Sequence, residues 1–340
     1  MNYLSHSSEV EGQKFNSLIE PLGSTPVKER KNRLERLLNR VQSEISSATG
    51  PAGVQLAVDQ LFKCLRILRR EASQDEWKNL IDYGREHSLR RIVHEDPFTR
   101  RAFDKPRGYA GDAVMMDFIY GRQEDWTRPD ASATGQAIFD YTTAAPASEG
   151  VRERRCHIAD TLDRMAEDAK GKEVLAIACG HLREANLSSA VRRGRFSRFL
   201  ALDSDPESLD EVESRYGKFG IQPVQANIRR LLTGRTDLGS FDLIYSTGLY
   251  DYLNESLARR LTTSLFRNVR PGGKLVIANF LPEIRDVGYM EMYMDWHLVY
   301  RDRSEMLAIA DPILESEVRE IRLRSEDNQN IVFLEITKRR

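Results

Sequence analysis

The sequence predicts an α/β protein in which a helical N-terminal region precedes a doubly wound, mostly parallel sheet. From about Pro26 apolar side chains recur at helical spacing. From Gly171 the pattern changes to short β-rich apolar runs separated by helical stretches, which is typical of alternating strands and helices. The last two predicted strands, near Val318 to Leu323 and Ile331 to Ile336, are joined by a turn too short for a helical crossover. This closing pair must therefore be antiparallel.

The helical region is expected to span residues 26–145. It follows a terminus at 1–25 that mixes Ser, Gly, Pro and Glu without periodicity and is expected to be loosely ordered. In the first helix, apolar residues at i, i+3, i+4 and i+7 predict one face packed against a core. That stripe consists of Leu34, Leu37, Leu38, Val41 and Ile45. A third helix is expected to open at Ser73 and Glu76, which have capping-box spacing.

Residues 146–340 are expected to form the sheet domain. Five of its strands are predicted at Glu173 to Ala178, Phe199 to Leu202, Pro223 to Ala226, Phe241 to Tyr245 and Lys274 to Phe280. The segment from Arg101 to Glu149 connects the two regions and has the least regular pattern of the chain. Loops of that length inside compact proteins tend to be functional, so substrate contacts are expected there.

Composition excludes several function classes. The 340 residues carry 51 Lys and Arg against 52 Asp and Glu, so no basic excess suggests a nucleic-acid partner. No apolar run approaches the ~20 residues of a membrane span, and the N-terminus lacks a secretory profile, which predicts a cytoplasmic protein. Cys64, Cys156 and Cys179 are too few and too far apart for a disulfide framework or a paired-thiol zinc site. The six histidines lack ligand-like spacing, so no metal is predicted.

Polar and small residues follow the predicted parallel strands in order. The strand from Val174 breaks into a glycine turn at Gly180, where backbone N–H groups can approach an anionic group. Asp203 ends the next strand, 23 residues after Gly180, a position from which a carboxylate can accept both hydroxyls of a ribose. Asn227 and Ile228 follow the third strand and suit an adenine edge and face. Together these residues predict a nucleoside site.

The chain from about Arg152 to Arg340 resembles the class I S-adenosylmethionine-dependent methyltransferases. The resemblance rests on the ordered motifs ACGH, ALDSDPESL, FDLIYSTGLYDYL and RPGGKLVIANF and on the antiparallel ending, which separates it from nicotinamide dehydrogenases. It implies a Rossmann-like, seven-stranded methyltransferase sheet with an antiparallel last strand. It departs from the usual three-glycine loop, because Ala178 and Leu182 stand where glycines often sit.

The same resemblance implies S-adenosyl-L-methionine as cofactor and assigns the residues that hold it. Gly180, with small Ala178 allowing close backbone approach, would line the methionine portion. Asp203 would hold the ribose, and Asn227 and Ile228 the adenine. Ser246, at the end of the fourth strand, would form the floor beside the sulfonium. A closer resemblance, carried by KPRGYAGD and MDWHLVYR over about Glu95 to Arg340, is to a bacterial subgroup for the biosynthesis of a 3-hydroxypalmitic acid methyl ester signal.

Aromatic residues outside the cofactor motifs are candidates for the reaction chamber. Methyl transfer is an in-line displacement at a sulfonium carbon, so the protein mainly aligns the nucleophile, excludes water and stabilises the cation with aromatic faces. The candidates for such a box are Tyr109, Tyr250, Trp296 and Tyr300. His181, in the glycine turn, is expected to cap or shield the cofactor carboxylate.

The charged candidates depend on the acceptor. A carboxylate acceptor is already ionised at neutral pH and needs no base, but it benefits from an arginine anchor, for which Arg107 or Arg301 are candidates; either can instead form a structural salt bridge. An amine or hydroxyl acceptor needs a base, for which the candidates are His297, Asp112 and Asp251. His297 has a structural alternative within an aromatic helix, and Asp112 can instead cap the helix from Ala113 to Tyr120.

The leading hypothesis is a methyltransferase acting on a small molecule, specifically by carboxylate O-methylation of a hydroxy-acid-like substrate. The alternative is an enzyme that cyclises the cofactor itself to an azetidine-2-carboxylate-type product and releases methylthioadenosine. A third reading is a binding or scaffold protein whose helical half recruits a partner. The absence of a basic excess, and of an Asp/Asn-Pro-Pro-Tyr loop after the fourth strand, argues against nucleic-acid methylation.

Overall fold

The computed structural model describes residues 27–121, 127–168, 171–232 and 238–340. Three long helices open the described chain: α1 Val27–Ser47, α2 Pro51–Glu71 and α3 Gln74–Glu86. The apolar stripe of α1 is buried as predicted, with only Leu37 of its five members partly exposed. The capping box that opens α3 is present, with Ser73 and Glu76 exchanging both hydrogen bonds. The predicted loose terminus, residues 1–25, lies outside the described residues.

The segment from Arg101 to Glu149 is far more regular than predicted. After α4 Leu89–Val93 come α5 Pro97–Asp104, α6 Ala113–Tyr120 and α7 Ala133–Ala144, and then the long α8 Pro146–Asp168 begins. Apart from the helix Ala113–Tyr120, which was predicted, the expectation of an irregular connection was wrong, because helices of 8 to 12 residues are too short to show a repeated apolar stripe. Their caps carry the signal instead: Asp112 accepts a hydrogen bond from Met115 N at 2.9 Å.

The sheet has seven strands in the order β3-β2-β1-β4-β5-β7-β6. They are β1 Glu173–Ile177, β2 Arg198–Asp203, β3 Ile221–Gln225, β4 Phe241–Ser246, β5 Val269–Phe280, β6 Val318–Ser325 and β7 Ile331–Lys338. The first five strands pair in parallel, while β7 pairs antiparallel with both β5 and β6. The predicted sheet and its antiparallel ending are therefore confirmed, and the order reverses direction at β1 and β4, where ligands bind in open α/β sheets.

Short helices connect the strands. They are α9 Glu184–Leu187, α10 Ser189–Arg192, α11 Pro206–Tyr216, α12 Ile228–Leu232, α13 Glu255–Arg267, α14 Val287–Tyr293 and α15 Arg303–Ala308, with 3₁₀ turns at Gly217–Phe219, Tyr250–Tyr252 and Glu315–Glu317. Of these, α14 follows β5 and packs against α2 and α3 of the helical region. The contact is close, because a Cβ at Gly288 would lie 2.6 Å from the backbone carbon of Leu65. Only glycine fits there.

Two apolar cores cover the two faces of the sheet. Side chains of a strand alternate in direction, so Val174 and Ala176 of β1 join one core, and Leu175 and Ile177 join the other. The first core is continuous with the interior of the N-terminal helices. The helical region therefore covers one face of the sheet domain directly. The predicted division between residues 145 and 146 stays a prediction.

Among the helices of the described residues, none has the length and apolarity needed to cross a membrane.

Candidate active site

Two adjoining cavities lie at the carboxyl ends of strands β1 to β4. The first, the strand-end cavity, has a volume of about 670 Å³ and reaches Asn227, Ile228 and α12. The second, the aromatic chamber, has a volume of about 380 Å³ and extends toward α6, α8 and Trp296. The two share Ile177, Ala178, Asp203, Ser204 and Leu249 in their linings. They therefore form one continuous cleft.

The turn after β1 has an unusual backbone. Ala178, Gly180 and Leu182 have φ angles of 52°, 50° and 50°, so three alternate residues adopt the left-handed conformation. Two of them are the non-glycine residues at which the sequence departs from the three-glycine pattern. A side chain in this conformation costs about 1–2 kcal/mol. Leu182 is fully buried, so its side-chain packing offsets that cost.

Asp203 holds this turn and faces both cavities. Its carboxylate accepts hydrogen bonds from Gly180 N at 2.8 Å, Ser204 N at 2.7 Å and Asp205 N at 3.0 Å. These bonds fix the carboxylate at the junction of the cavities, where its remaining lone pairs can accept hydroxyl groups.

The other predicted cofactor residues divide into two groups. Ala178 lines both cavities, Gly180 lines the aromatic chamber, and Asn227 and Ile228 line the strand-end cavity. Ser246 lines neither. It is completely buried and donates its hydroxyl to Ile177 O at 3.1 Å, so it ties β4 to β1. The cavity floor beyond β4 is formed by the next residues, Thr247 and Gly248.

Six aromatic residues line the chamber, and three of them, Tyr109, Tyr252 and Trp296, form one contiguous wall. Trp296 Nε1 donates a hydrogen bond to Tyr252 Oη at 2.9 Å, and the Tyr109 and Tyr252 rings meet edge to face at 6.5 Å. The wall is tight against Gly111, where a Cβ would lie 2.6 Å from Tyr252 Oη and 2.7 Å from Trp296 Cζ2. Two of these three aromatic residues, Tyr109 and Trp296, were predicted from the sequence.

Tyr250 and Arg301, predicted as chamber residues, lie outside its lining. The 3₁₀ turn at 250–252 directs Tyr250 into the core, where its hydroxyl meets Thr262 Oγ1 at 3.0 Å, and presents Tyr252 to the chamber. Arg301 donates to Tyr250 O at 2.8 Å, to Asn279 Oδ1 at 2.6 Å and to Leu253 O. Arg301 therefore holds the chain segment after β4 in place, and its guanidinium has no free pair of N–H groups for a ligand carboxylate.

His297 and Tyr300 are also absent from the residues that line the chamber. His297 is exposed, and its Nε2 lies 3.2 Å from Asp295 Oδ1. The Tyr300 hydroxyl is buried in the described structure without a hydrogen-bond partner, and the ring packs against the core shared with the helical region. Trp296 and Leu298 line the chamber, whereas neither His297 nor Tyr300 does.

Residues 105–112, here called the strap, lie beside the aromatic chamber and are held in place by ion pairs. Arg107 pairs with Asp205 at 3.0 Å and Glu207 at 2.9 Å, so it has the structural salt bridge considered as its alternative. Lys105 pairs with Asp295. Asp112 pairs with Arg101 at 2.7 Å, caps α6 and is fully buried outside the cavity lining. The strap therefore presents Tyr109 and Gly111 to the chamber from a fixed position.

His181 belongs to a charged network beside the glycine turn. Its Nδ1 lies 2.8 Å from Asp117 Oδ2, and Asp117 is also held by Arg183 through two bonds of 2.7 Å. Burial alone would raise the pKa of Asp117, but the hydrogen bonds from Arg183 and His181 lower it to about 2. Arg183 also pairs with Glu211 at 2.8 Å. These groups hold the turn to α6 and α11.

The chamber is also lined by Asp251, which was predicted as a candidate base, and by Glu184 and Arg154, which were not in the predicted set. Asp251 is buried and accepts a hydrogen bond from Phe280 N at 2.7 Å, and burial raises its pKa to about 6. Glu184 accepts from Tyr245 Oη at 2.7 Å, and burial raises its pKa as well. Arg154 of α8 lines the same chamber.

Arg154 had a signal in the sequence. It follows Val151 by three residues and precedes Ile158 by four, so it occupies a position of the buried stripe of α8 where an apolar residue is expected. An arginine on the apolar face of a helix indicates a buried partner or a ligand. Within the described residues, no group of three or more His, Cys, Asp and Glu side chains is arranged to hold a metal ion.

Residues 174–273 match the family model described as a methyltransferase domain. No curated protein matches the chain in sequence. Among solved structures, a possible exported protein from Bordetella parapertussis is similar over 80% of this chain and 98% of its own, with 14% identity and a TM-score of 0.57. This likeness concerns the fold alone.

Two further solved structures are similar at lower scores. The N-methyltransferase NodS from Bradyrhizobium japonicum WM9, in complex with S-adenosyl-L-homocysteine, has 17% identity and a TM-score of 0.40, with 55% of this chain and 87% of NodS covered. The magnesium protoporphyrin IX methyltransferase ChlM from Synechocystis PCC 6803 has 11% identity and a TM-score of 0.43, with 72% and 97% covered.

The domain match and the sheet agree on one assignment. The matched segment begins at β1, runs through the glycine turn, Asp203 and β4, and ends within β5. It therefore contains the strands whose ends form the cleft. Residues 174–273 match a methyltransferase domain, and the chain is an enzyme whose seven-stranded sheet has the antiparallel ending expected of the class I methyltransferase fold.

Proposed function

We propose that this protein transfers a methyl group from S-adenosyl-L-methionine to a small molecule, most specifically to the carboxylate of a hydroxy-acid-like acceptor. The observation that carries the proposal is the aromatic chamber. It adjoins the strand-end cavity through Ala178 and Asp203, and it is walled by Tyr109, Tyr252 and Trp296. A nucleoside site that opens into such a chamber places a reactive sulfonium beside a second, smaller ligand.

The residues at the junction fit this cofactor. Asn227 and Ile228 would hold the adenine, Asp203 the ribose hydroxyls, and the turn through Ala178 and Gly180 the methionine portion. The cofactor supplies a methyl group activated by a positively charged sulfur. The aromatic faces of the wall stabilise such a cation and exclude water from it. The match to a methyltransferase domain supports the same cofactor.

The size and cover of the chamber favour a small acceptor. Its volume is about 380 Å³, near the lower end for small-molecule sites. The strap contributes Tyr109 and Gly111 to its lining and is held in place by the ion pairs of Arg107 and Lys105. A cavity of this size with a fixed wall suits a small molecule better than an extended polymer. A cytoplasmic location and the absence of a nucleic-acid partner stay predictions from the sequence.

A carboxylate acceptor makes the fewest chemical demands on this chamber. It is ionised at neutral pH, because its ordinary pKa is near ~4, so its oxygen can attack the methyl carbon without a base. The carbon–sulfur bond breaks, the electron pair remains on sulfur, and an ester forms. The protein then has to align the two reactants. The resemblance to the 3-hydroxypalmitic acid methyl ester subgroup supports a hydroxy acid as the acceptor.

The test is product analysis of purified protein incubated with S-adenosylmethionine and 3-hydroxy acids of increasing chain length. The expected products, followed by mass spectrometry, are S-adenosylhomocysteine and a methyl ester in equal amounts. Asp203→Ala protein is the control for contaminating activity. Methylthioadenosine formed without any acceptor, with no methyl ester at any chain length, would contradict the proposal.

Cyclisation of the cofactor is a second candidate, and the buried carboxyl groups of Glu184 and Asp251 favour it. In that reaction the cofactor's own amine attacks its side-chain carbon bonded to sulfur, that bond breaks, and methylthioadenosine leaves. The product is a four-membered azetidine-2-carboxylate, and the ammonium must first give a proton to a base. Both carboxyl groups line the chamber and could accept it.

Asp251→Asn separates the two candidates. The amide keeps an oxygen that can accept from Phe280 N but cannot take a proton. Because burial raises the pKa of Asp251 to about 6, its basic form accumulates as the pH rises through about 6. A cyclisation that uses this base should increase over that range in the parent and be lost in the variant. Carboxylate methylation should survive the substitution within a few-fold.

A further inference from the structure

Arg154 is an almost completely buried cation in the wall of the aromatic chamber. Its relative exposure is 6%, and it lies on the face of α8 that packs inward with Val151 and Ile158. Its guanidinium lies near the turn after β4, since a Cβ at Gly248 would be 4.0 Å from Arg154 Nη2. The side chain thus reaches the part of the chamber between α6, α8 and the 250–252 turn.

The protein provides this guanidinium with weak partners only. Its Nη2 lies 3.9 Å from the Met116 sulfur, and it interacts with the Tyr120 hydroxyl. Within the described ranges no carboxylate lies within 4.0 Å of its nitrogen atoms. Asp251 and Glu184 are near enough to feel its charge, but neither forms an ion pair with it.

The other arginines near the chamber differ in this respect. Arg183 is held by Asp117 and Glu211, and Arg107 by Asp205 and Glu207. Taking an ion out of water costs several kcal/mol unless a counter-ion and hydrogen bonds compensate for it. Arg154 carries that cost without a protein carboxylate, in a wall that faces a cavity.

We propose that Arg154 binds the carboxylate of a ligand in the aromatic chamber. The planar fork of arginine matches a carboxylate through two parallel N–H···O bonds, and burial strengthens them. The carboxylate belongs either to the acceptor or to the amino-acid end of the cofactor, which have the same chemistry. This inference rests on the proposed function, because it needs a ligand in the chamber. It replaces Arg107 and Arg301 as the anchor.

Calorimetry with matched ligands tests the proposal and identifies the source of the carboxylate. S-Adenosylhomocysteine carries the amino-acid end, whereas methylthioadenosine has the same nucleoside and thioether without it. If the cofactor supplies the carboxylate, Arg154→Met should weaken S-adenosylhomocysteine binding about 10- to 100-fold and leave methylthioadenosine binding unchanged. If the acceptor supplies it, both nucleosides should bind as before, and binding of 3-hydroxyoctanoate to the S-adenosylhomocysteine complex should weaken by that factor.

Two further variants and the melting temperature distinguish a loss of ligand binding from a merely structural effect. Arg155→Met makes the same change one residue away, outside the cavity lining, and should not discriminate between the ligands. Arg154→Lys keeps the charge, loses the fork and should bind with intermediate affinity. The ligand-free Arg154→Met protein should melt at or above the parent temperature, because an unpaired buried charge is removed.

The proposal is overturned if Arg154→Met changes all three ligand affinities by less than twofold, or weakens methylthioadenosine as much as S-adenosylhomocysteine. It is also overturned if Arg154→Met lowers the melting temperature and Arg154→Lys restores it without restoring carboxylate-dependent binding. Failure of the proposed function looks different: the parent protein itself would then not bind S-adenosylhomocysteine.

Discussion

The strand-end cavity and the aromatic chamber share a wall, but the chain builds them in different ways. The strand-end cavity consists of residues that directly follow parallel strands, such as Ala178, Asp203 and Asn227. The chamber draws on segments far apart in sequence: the strap, α8, the 250–252 turn and Trp296. Five of the six predicted cofactor residues line the cleft, four of them in the strand-end cavity. By contrast, only two of the six predicted catalytic residues line the chamber. Sites at strand ends can be predicted from the order of residues along the chain, whereas sites built from distant segments cannot.

Removal of the carboxylate shared by both cavities should have the largest effect. Asp203→Ala deletes the group expected to hold the ribose and leaves three backbone N–H groups without their acceptor. We expect binding of S-adenosylhomocysteine and of methylthioadenosine to weaken by about 100-fold, measured by calorimetry. Asp203→Asn, which keeps an acceptor oxygen, should lose less. Equal affinity in parent and Asp203→Ala protein would move the nucleoside away from this cavity.

A change confined to the chamber should affect turnover and spare the nucleoside. In Gly111→Ala the new methyl group would meet Tyr252 and Trp296 at under 3 Å, so the aromatic wall must shift. Overpacking of this kind costs about 1–3 kcal/mol, and we expect kcat to fall about 10-fold with little change in S-adenosylhomocysteine affinity. Gly50→Ala, at a site with open space and ordinary extended backbone, is the control. An unchanged kcat would show that the wall takes no part in the reaction.

Arg301→Met tests whether Arg301, which was predicted as a chamber residue from the sequence, has a structural role instead. Arg301 is bonded to Tyr250 O, Asn279 Oδ1 and Leu253 O, so its loss should lower the free energy of unfolding by about 2–4 kcal/mol. The folded variant should keep kcat/KM within about threefold of the parent. The measurements are a denaturant titration and steady-state kinetics at low temperature. A large loss of kcat at unchanged stability would return Arg301 to the catalytic set.

Relief of strain in the glycine turn should have the smallest effect. Ala178 has a φ of 52° and an exposed side chain, so Ala178→Gly removes the conformational cost and deletes only one methyl group from the cavity wall. We expect a gain in stability of up to about 1 kcal/mol and an S-adenosylhomocysteine affinity within threefold of the parent. A tenfold loss of affinity would mean that the methyl group itself contacts the ligand.

Much of the fold was predictable because its signals are local. Ser73 and Glu76 form the predicted capping box, and the apolar stripe of α1 is buried. The antiparallel pairing of β6 with β7 followed from a turn too short for a crossover. Between Arg101 and Glu149 only the helix Ala113–Tyr120 was predicted, from its cap Asp112; the helices Pro97–Asp104 and Ala133–Ala144 were missed, since each is short and has only its cap as a signal.

The sequence by itself determined the succession of strands along the chain, the antiparallel ending and the residues at the carboxyl ends of the strands. These features depend on periodicity and turn length, which are set by residues close together in the sequence. Only the tertiary structure decided that Tyr252 rather than Tyr250 faces the chamber and that Arg107 and Arg301 are occupied by internal partners. The same holds for Arg154, the chamber guanidinium without a carboxylate partner among the described residues. The physical reason is that a side chain's role depends on the residues it contacts. Those residues come from segments far apart in the sequence, and local sequence patterns do not predict contacts between such segments.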